Sequence, residues 1–192
     1  MNIKNIFPTP IGHFNDKEFT DQVLPIAKEI LKTTAICSLG YKSTYGDIEK
    51  LNKVKSYSFI EDKIKKVTNE FFEKIEFVPT GELEISTFIT KMKKGDFHLP
   101  HVHPNSILSG TYYLQVAPNS SPIMFDDFRT IRNFNGLTPT RMELMRNSFY
   151  PKAGDCVMFE SWVPHSVPQN QSESRITLIF DVHLKLYQKN KT

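Results

Sequence analysis

At 192 residues, with 39% hydrophobic and 23% charged side chains, the chain has the composition of an ordinary globular protein with room for a sizeable core. A formal charge of +3 is too small to argue for nucleic-acid binding, and no run approaches the about 18 apolar residues that a membrane span needs. The opening "MNIKNIFPTPIGHF" is too short and too broken by proline for a secretory signal, and Cys37 and Cys156 stand in no CxxC or Cys/His spacing. The expectation is a single domain over 1–192, working in a reducing cytoplasm.

The first part, about 14–78, reads helical. In "NDKEFTDQVLPIAKEILKTT" the apolar residues Val23, Ile26, Ala27, Ile30 and Leu31 recur at helical spacing, with Pro25 expected to restrict or kink the helix. "SFIEDKIKKVTNEFFEKI" is the stronger helix. Ser58 and Glu61 have the spacing of a capping box, and Ile60, Ile64, Val67, Phe71 and Ile75 line one face.

From about 82 to 184 the texture changes. "LEISTFITKM", "ILSGTYYLQV", "PIMFDD", "NSFYPK", "DCVMFES" and "RITLIFDVHL" are short, rich in β-branched and aromatic residues, and separated by Gly, Pro, Asn and Asp. No helix of useful length fits between them, so they are not βαβ units. The fold class is therefore mainly β (α+β), a sandwich or barrel with the N-terminal helices packed on one face. A long insertion falls at about 127–147. Four arginines (Arg129, Arg132, Arg141, Arg146) lie there between Phe128 and Asn147 against one acid, Glu143. The bland reading is a solvated loop, and the sharper one a lid that meets an anionic substrate.

"HLPHVHP", residues 98–104, holds three of the six histidines. His101 and His103 are two apart, so on an extended segment both imidazoles face one side and can enter one cavity. A third ligand must then come from far along the chain. His165, in "ESWVPHSVPQN", follows a β segment and is the candidate. Ten positions later Arg175 opens "RITLIFDV". A guanidinium cannot shed its proton, so a buried arginine at the start of a core strand needs an anion, and its fork matches a carboxylate. Tyr113 is placed to offer a phenol to the same carboxylate. By strand alternation it shares a face with Ser109 and Thr111, while Tyr112 and Leu114 share the other.

"HVHPNSILSGTYYLQV", "PIMFDD", "PKAGDCVMFESWVPHSV" and "RITLIFDV", in this order, resemble the double-stranded β-helix (jelly-roll) core of iron(II)/2-oxoglutarate-dependent oxygenases. With the opening "IFPTPI", the pattern "HxHPxSxLSGxYYL" is most similar to a bacterial and phage group within that superfamily. The resemblance covers about 82–184. It implies Fe(II) and 2-oxoglutarate as cofactors, with O2 consumed, an unidentified substrate hydroxylated, and succinate and CO2 released. It also implies that His101 and His165 hold the metal and that Arg175 holds the distal carboxylate of 2-oxoglutarate. Tyr113 would assist, Ser109 is a weaker suggestion for the same pocket, and Gly154 would be the turn glycine before the strand leading to His165.

One departure stands out. The usual facial triad reads H-x-D/E, and the carboxylate position here is His103. Three readings follow: a three-His metal site, a site held by His101 and His165 with His103 outside it, or an acid such as Asp126 or Asp127 substituting from a neighbouring strand. The first is favoured because alternation puts His103 on the correct face.

Other residues read blandly. His98 is outside the ligand set or on the surface, and His13 and His183 have no partner spacing. Asp181 and His183 end a strand and are expected to face solvent. Cys156 is core, and Trp162 either walls the pocket or packs its turn. Two rival functions remain: a cupin-type three-His iron dioxygenase that needs no 2-oxoglutarate, and a non-catalytic β-sandwich binding module or virion component. A homodimer through the N-terminal helices is compatible with the sequence.

Overall fold

The computed structural model describes residues 1–2, 7–47, 49–127 and 145–185. In chain order these form β1 (Ile11–Asn15), α1 (Lys17–Thr33), β2 (Lys42–Ser43), α2 (Glu49–Asn52), α3 (Tyr57–Lys74), β3 (Glu82–Met92) and β4 (His98–His101). There follow β5 (Leu108–Val116), β6 (Ile123–Asp126), β7 (Arg146–Phe149), β8 (Asp155–Glu160), β9 (His165–Val167) and β10 (Arg175–Lys185). A six-stranded sheet runs β1-β8-β5-β10-β3-β2, and a four-stranded sheet runs β4-β9-β6-β7. The neighbours pair antiparallel, and consecutive strands often fall in different sheets, which is the jelly-roll arrangement.

The larger sheet has two unlike faces, and strand alternation decides which residue meets which. Along β5, Leu108, Tyr112 and Leu114 point to the helical side, with Cys156 and Met158 of β8 and Ile176, Leu178, Phe180 and Val182 of β10. That face packs against Phe19, Val23, Ala27 and Leu31 of α1 and Ile60, Ile64, Val67 and Phe71 of α3. The opposite face carries Tyr113, Val157 and Phe159, which pack against Ile123 and Phe125 of the smaller sheet. The site lies on this second face, between the sheets.

Helix α1 starts where the Asp16 carboxylate accepts the Phe19 N–H at 3.1 Å. Pro25 does not end it. The residue is on the exposed side, where water can serve the carbonyl that proline leaves without an intrahelical donor. The expected capping box of α3 is not formed. The Tyr57 N–H donates to Val54 O at 2.9 Å, so the helix begins before Ser58, and Glu61 accepts from Lys65 instead at 2.6 Å. The strands β1, β2, β4 and β9 add to those expected from the sequence.

Two glycines are required by their surroundings. Gly154 has φ +98°, in the turn before β8, and a Cβ there would lie 2.8 Å from the Asn15 side chain. Gly110 in β5 faces the Phe180 ring, whose Cζ would sit 2.2 Å from an added Cβ. Phe180 is fully buried, so the ring has nowhere to withdraw. Gly110→Ala is expected to destabilise the fold by about 1–3 kcal/mol, as overpacked cores do. A denaturant melt checks this.

Candidate metal centre

His101 closes β4 and His165 opens β9, and the two are direct cross-strand partners. His103 follows two residues later, fixed by its own backbone N–H donating to Ser161 O at 3.0 Å. One ring nitrogen from each of the three falls within 4.8 Å of the others. The tautomers follow from their partners. His101 Nδ1 lies 2.8 Å from Leu99 O and His165 Nδ1 lies 3.0 Å from Val163 O. A carbonyl can only accept, so each Nδ1 carries the hydrogen and each Nε2 keeps a lone pair. His103 Nδ1 likewise donates to Asp181 Oδ1 at 2.7 Å, and its Nε2 stands 3.2 Å from His165 Nε2. Three lone pairs converging in this way repel one another unless a cation or proton sits among them. This donor set fits a divalent transition metal.

The surroundings favour the neutral form of three imidazoles, those of His165, His98 and His101. Burial is the main cause for His165, lowered to about 3, for His98, lowered to about 4, and for His101, also lowered; neighbouring imidazoles add to it. His98 stacks on His101, ring centroids 3.9 Å apart and 21° between planes, and its Nδ1 lies 3.4 Å from Tyr41 Oη. It is thus a ring packed against the cluster.

All three histidines line a narrow inner cavity that Arg175 also lines. Arg175 is 3% exposed. Its guanidinium carbon stands 5.0 Å from the Tyr113 ring centroid, and Nη1 is 3.7 Å from Met92 Sδ. Nε has no hydrogen-bond partner, nor has the buried Tyr113 hydroxyl, and no acid forms an ion pair with Arg175 among the described residues. Burial pushes the Tyr113 phenol up to about 12, so it remains a donor at neutral pH. A buried cation beside an idle phenol is the environment of a missing anion, and a carboxylate fits it.

Asp181 corrects the sequence expectation. It lies mid-strand, 7% exposed, and Oδ1 accepts from both His103 Nδ1 and Ser109 Oγ, each at 2.7 Å. Ser109 is buried on the cavity wall and also bonds Ser161 Oγ at 2.9 Å. Thr90 and Thr177, joined at 2.7 Å, line the same cavity, and no motif or spacing in the sequence marks them. Asp126 faces Arg146, whose Nε lies 2.5 Å from Oδ1, and neither Asp126 nor Asp127 joins the histidine cluster. Arg129, Arg132 and Arg141 lie outside the described residues.

An outer cavity of about 700 Å³ shares His98, His101 and His103 with the inner one. Leu39, Tyr45, Phe88 and Val102 give it apolar walls, and no lysine or arginine lines it among the described residues. His183 borders it, held by Ser86 Oγ and Asn105 O at 3.1 Å each. Away from the site, His13 packs on Phe149, Cys156 is fully buried, and Trp162 is half exposed in the turn between β8 and β9.

Residues 86–181 match the model of the family described as "Putative 2OG-Fe(II) oxygenase". A comparison with curated proteins found no match. Among solved structures, a Pseudomonas putida prolyl-4-hydroxylase is similar at TM-score 0.65 and 14% identity, over 93% of this chain and 94% of that one. The viral collagen prolyl hydroxylase of Paramecium Bursaria Chlorella virus-1, solved as a 2OG complex, is similar at TM-score 0.59 and 15% identity, over 90% and 94%. HygX from Streptomyces hygroscopicus, solved with nickel and 2-oxoglutarate bound, is similar at TM-score 0.62 and 8% identity, over 94% and 85%. At these identities the structures speak to the fold.

The buried imidazoles set a pH dependence. Below the ordinary imidazole value near 6.5 the unfolded chain takes up protons that the folded chain refuses at His165, His98 and His101. The unfolded state then binds more protons, so stability is full above about pH 6.5 and declines as pH falls toward about 4. The denaturant midpoint of metal-free protein is expected to be lower at pH 5 than at pH 7.5.

Proposed function

The chain belongs to the 2OG-Fe(II) oxygenase family, and on that footing we propose that His101, His103 and His165 are the ligands of its iron(II) and that Arg175 grips the distal carboxylate of 2-oxoglutarate. The observation that carries the reading is Arg175 itself, a buried guanidinium without an acid among the described residues, on the wall of the cavity that the three imidazoles enter. When bound, the metal and 2-oxoglutarate supply the oxidative decarboxylation that couples O2 to substrate hydroxylation, with succinate and CO2 as co-products.

The protein's own part is to bind, orient and exclude water. Arg175 and the Tyr113 hydroxyl offer charge and a hydrogen bond to one carboxylate. The Leu99, Val163 and Asp181 oxygens hold each imidazole in the tautomer that leaves Nε2 free. Phe159, Ile123 and Val167 line the inner cavity with apolar surface that keeps water from the reacting centre. The substrate enters by the outer cavity. A cytoplasmic setting in a bacterium or a phage host and a homodimer complete the proposal.

The three-His dioxygenase without 2-oxoglutarate is disfavoured by the same Arg175, and a non-catalytic module needs neither the cluster nor the arginine. Anaerobic addition of iron(II) and then 2-oxoglutarate is expected to raise the visible charge-transfer band of the chelate. Bound iron with no band would overturn the 2-oxoglutarate assignment. Arg175→Ala is expected to weaken 2-oxoglutarate by roughly 30-fold or more while changing iron affinity by less than about threefold, because one partner of a buried charge pair is removed. Equal losses would remove Arg175 from that role.

A further inference from the structure

Replacing the triad carboxylate by His103 leaves a charge deficit. Two imidazoles and a carboxylate around a divalent ion leave one net positive charge; three neutral imidazoles leave two. Burial sharpens the deficit, since charges in a low-dielectric cavity are screened weakly. Among the described residues lining the inner and outer cavities, one carboxylate is present, that of Asp181.

Asp181 is placed to correct the deficit. It sits on β10 six residues after Arg175, on the same inward face. Its Oδ1 accepts the His103 Nδ1–H at 2.7 Å, on the far side of the ring from the Nε2 that faces His165. Ser109 donates to the same oxygen at 2.7 Å and is itself braced against Ser161 at 2.9 Å. Ser161 O in turn takes the His103 backbone N–H at 3.0 Å. The ring of His103 is therefore fixed from both its backbone and its outer nitrogen. Both partners are hydrogen-bond donors, and neither is a lysine or arginine.

Resting on the ligand assignment above, we propose that Asp181 supplies, through His103, the negative charge that an H-x-D/E triad places directly on the metal. Asp181 is a positioning residue. It touches the ligand and not the ion, raises the basicity of His103 Nε2 and fixes its tautomer, while Ser109 and Ser161 keep the carboxylate aimed. The single sequence feature that breaks the family pattern is thus matched by a second one, on a strand 78 residues downstream.

The test is a calorimetric titration of cobalt(II), without 2-oxoglutarate, into metal-free full-length protein, with thermal melts of each metal-free variant beside it. Asp181→Asn keeps the shape and removes the charge, and is expected to weaken cobalt(II) on the order of 10- to 100-fold, as changes next to a ligating histidine do. His103→Asp moves a carboxylate onto the metal, and in that background Asp181→Asn is expected to leave affinity unchanged or improve it. Affinity lost only in the His103 background supports the proposal. Wild-type affinity in Asp181→Asn, a lowered melt alone, or the same loss in both backgrounds overturns it and leaves the ligand assignment standing. Failure of the wild type to bind cobalt(II) overturns both. Should Asp181→Asn not fold, the same cycle is read on Ser109→Ala, which strips one of the two hydrogen bonds from Oδ1. Loss confined to the His103 background then supports the proposal, and equal loss overturns it.

Discussion

The site depends on the alternation of one strand. β10 lies between β5 and β3 in the larger sheet and is paired along nearly its whole length on both sides, so it cannot slip by one residue without exchanging its two faces. Ile176, Leu178, Phe180 and Val182 are committed to the helical side, where α1 and α3 cover them. That commitment sends Arg175, Thr177, Ile179 and Asp181 into the cavities. The hydrophobic packing of one face thereby sets the position of the polar machinery on the other. The close fit of Phe180 against Gly110 pins the register near its middle.

Polar groups on the inner face have a consistent logic. Threonines and serines there satisfy one another, as with Thr90 and Thr177 or Ser109 and Ser161. The groups left over, namely the imidazole Nε2 atoms, the Tyr113 hydroxyl and Arg175 Nε, find no complementary partner among the described residues. Interiors are normally close to fully satisfied, so a concentration of unmet groups in one place marks a ligand site.

Much of this was legible in the sequence where a regular period carried it. The six long or aromatic-rich β segments all appear as strands, and the opposed faces of Tyr112 and Tyr113 follow from counting by two. The pairing of His101 with His165 was not readable, because β4 and β9 have four and three residues and their meeting is set by the whole topology. Asp181 departs from its expected place for a different reason. The preference of carboxylates for water points it outward near a strand end, whereas counting by two from Arg175 places it inward, and the strand period prevails. The cap of α3 failed similarly. Ser58 and Glu61 have the right spacing, but the turn at Val54 begins the helix sooner.

The smaller sheet is thinly joined at its edge. β4 and β9 share two aligned residue pairs with an irregularity between them, and His103 lies beyond the strand. An ion held by His101, His103 and His165 would act there as a rivet, since His103 is tied through Asp181 to the larger sheet and the other two belong to the smaller. Because such an ion binds the folded chain and finds no preformed site in the unfolded one, occupancy adds to cohesion by mass action. Occupancy of the site and cohesion at this edge would then rise and fall together.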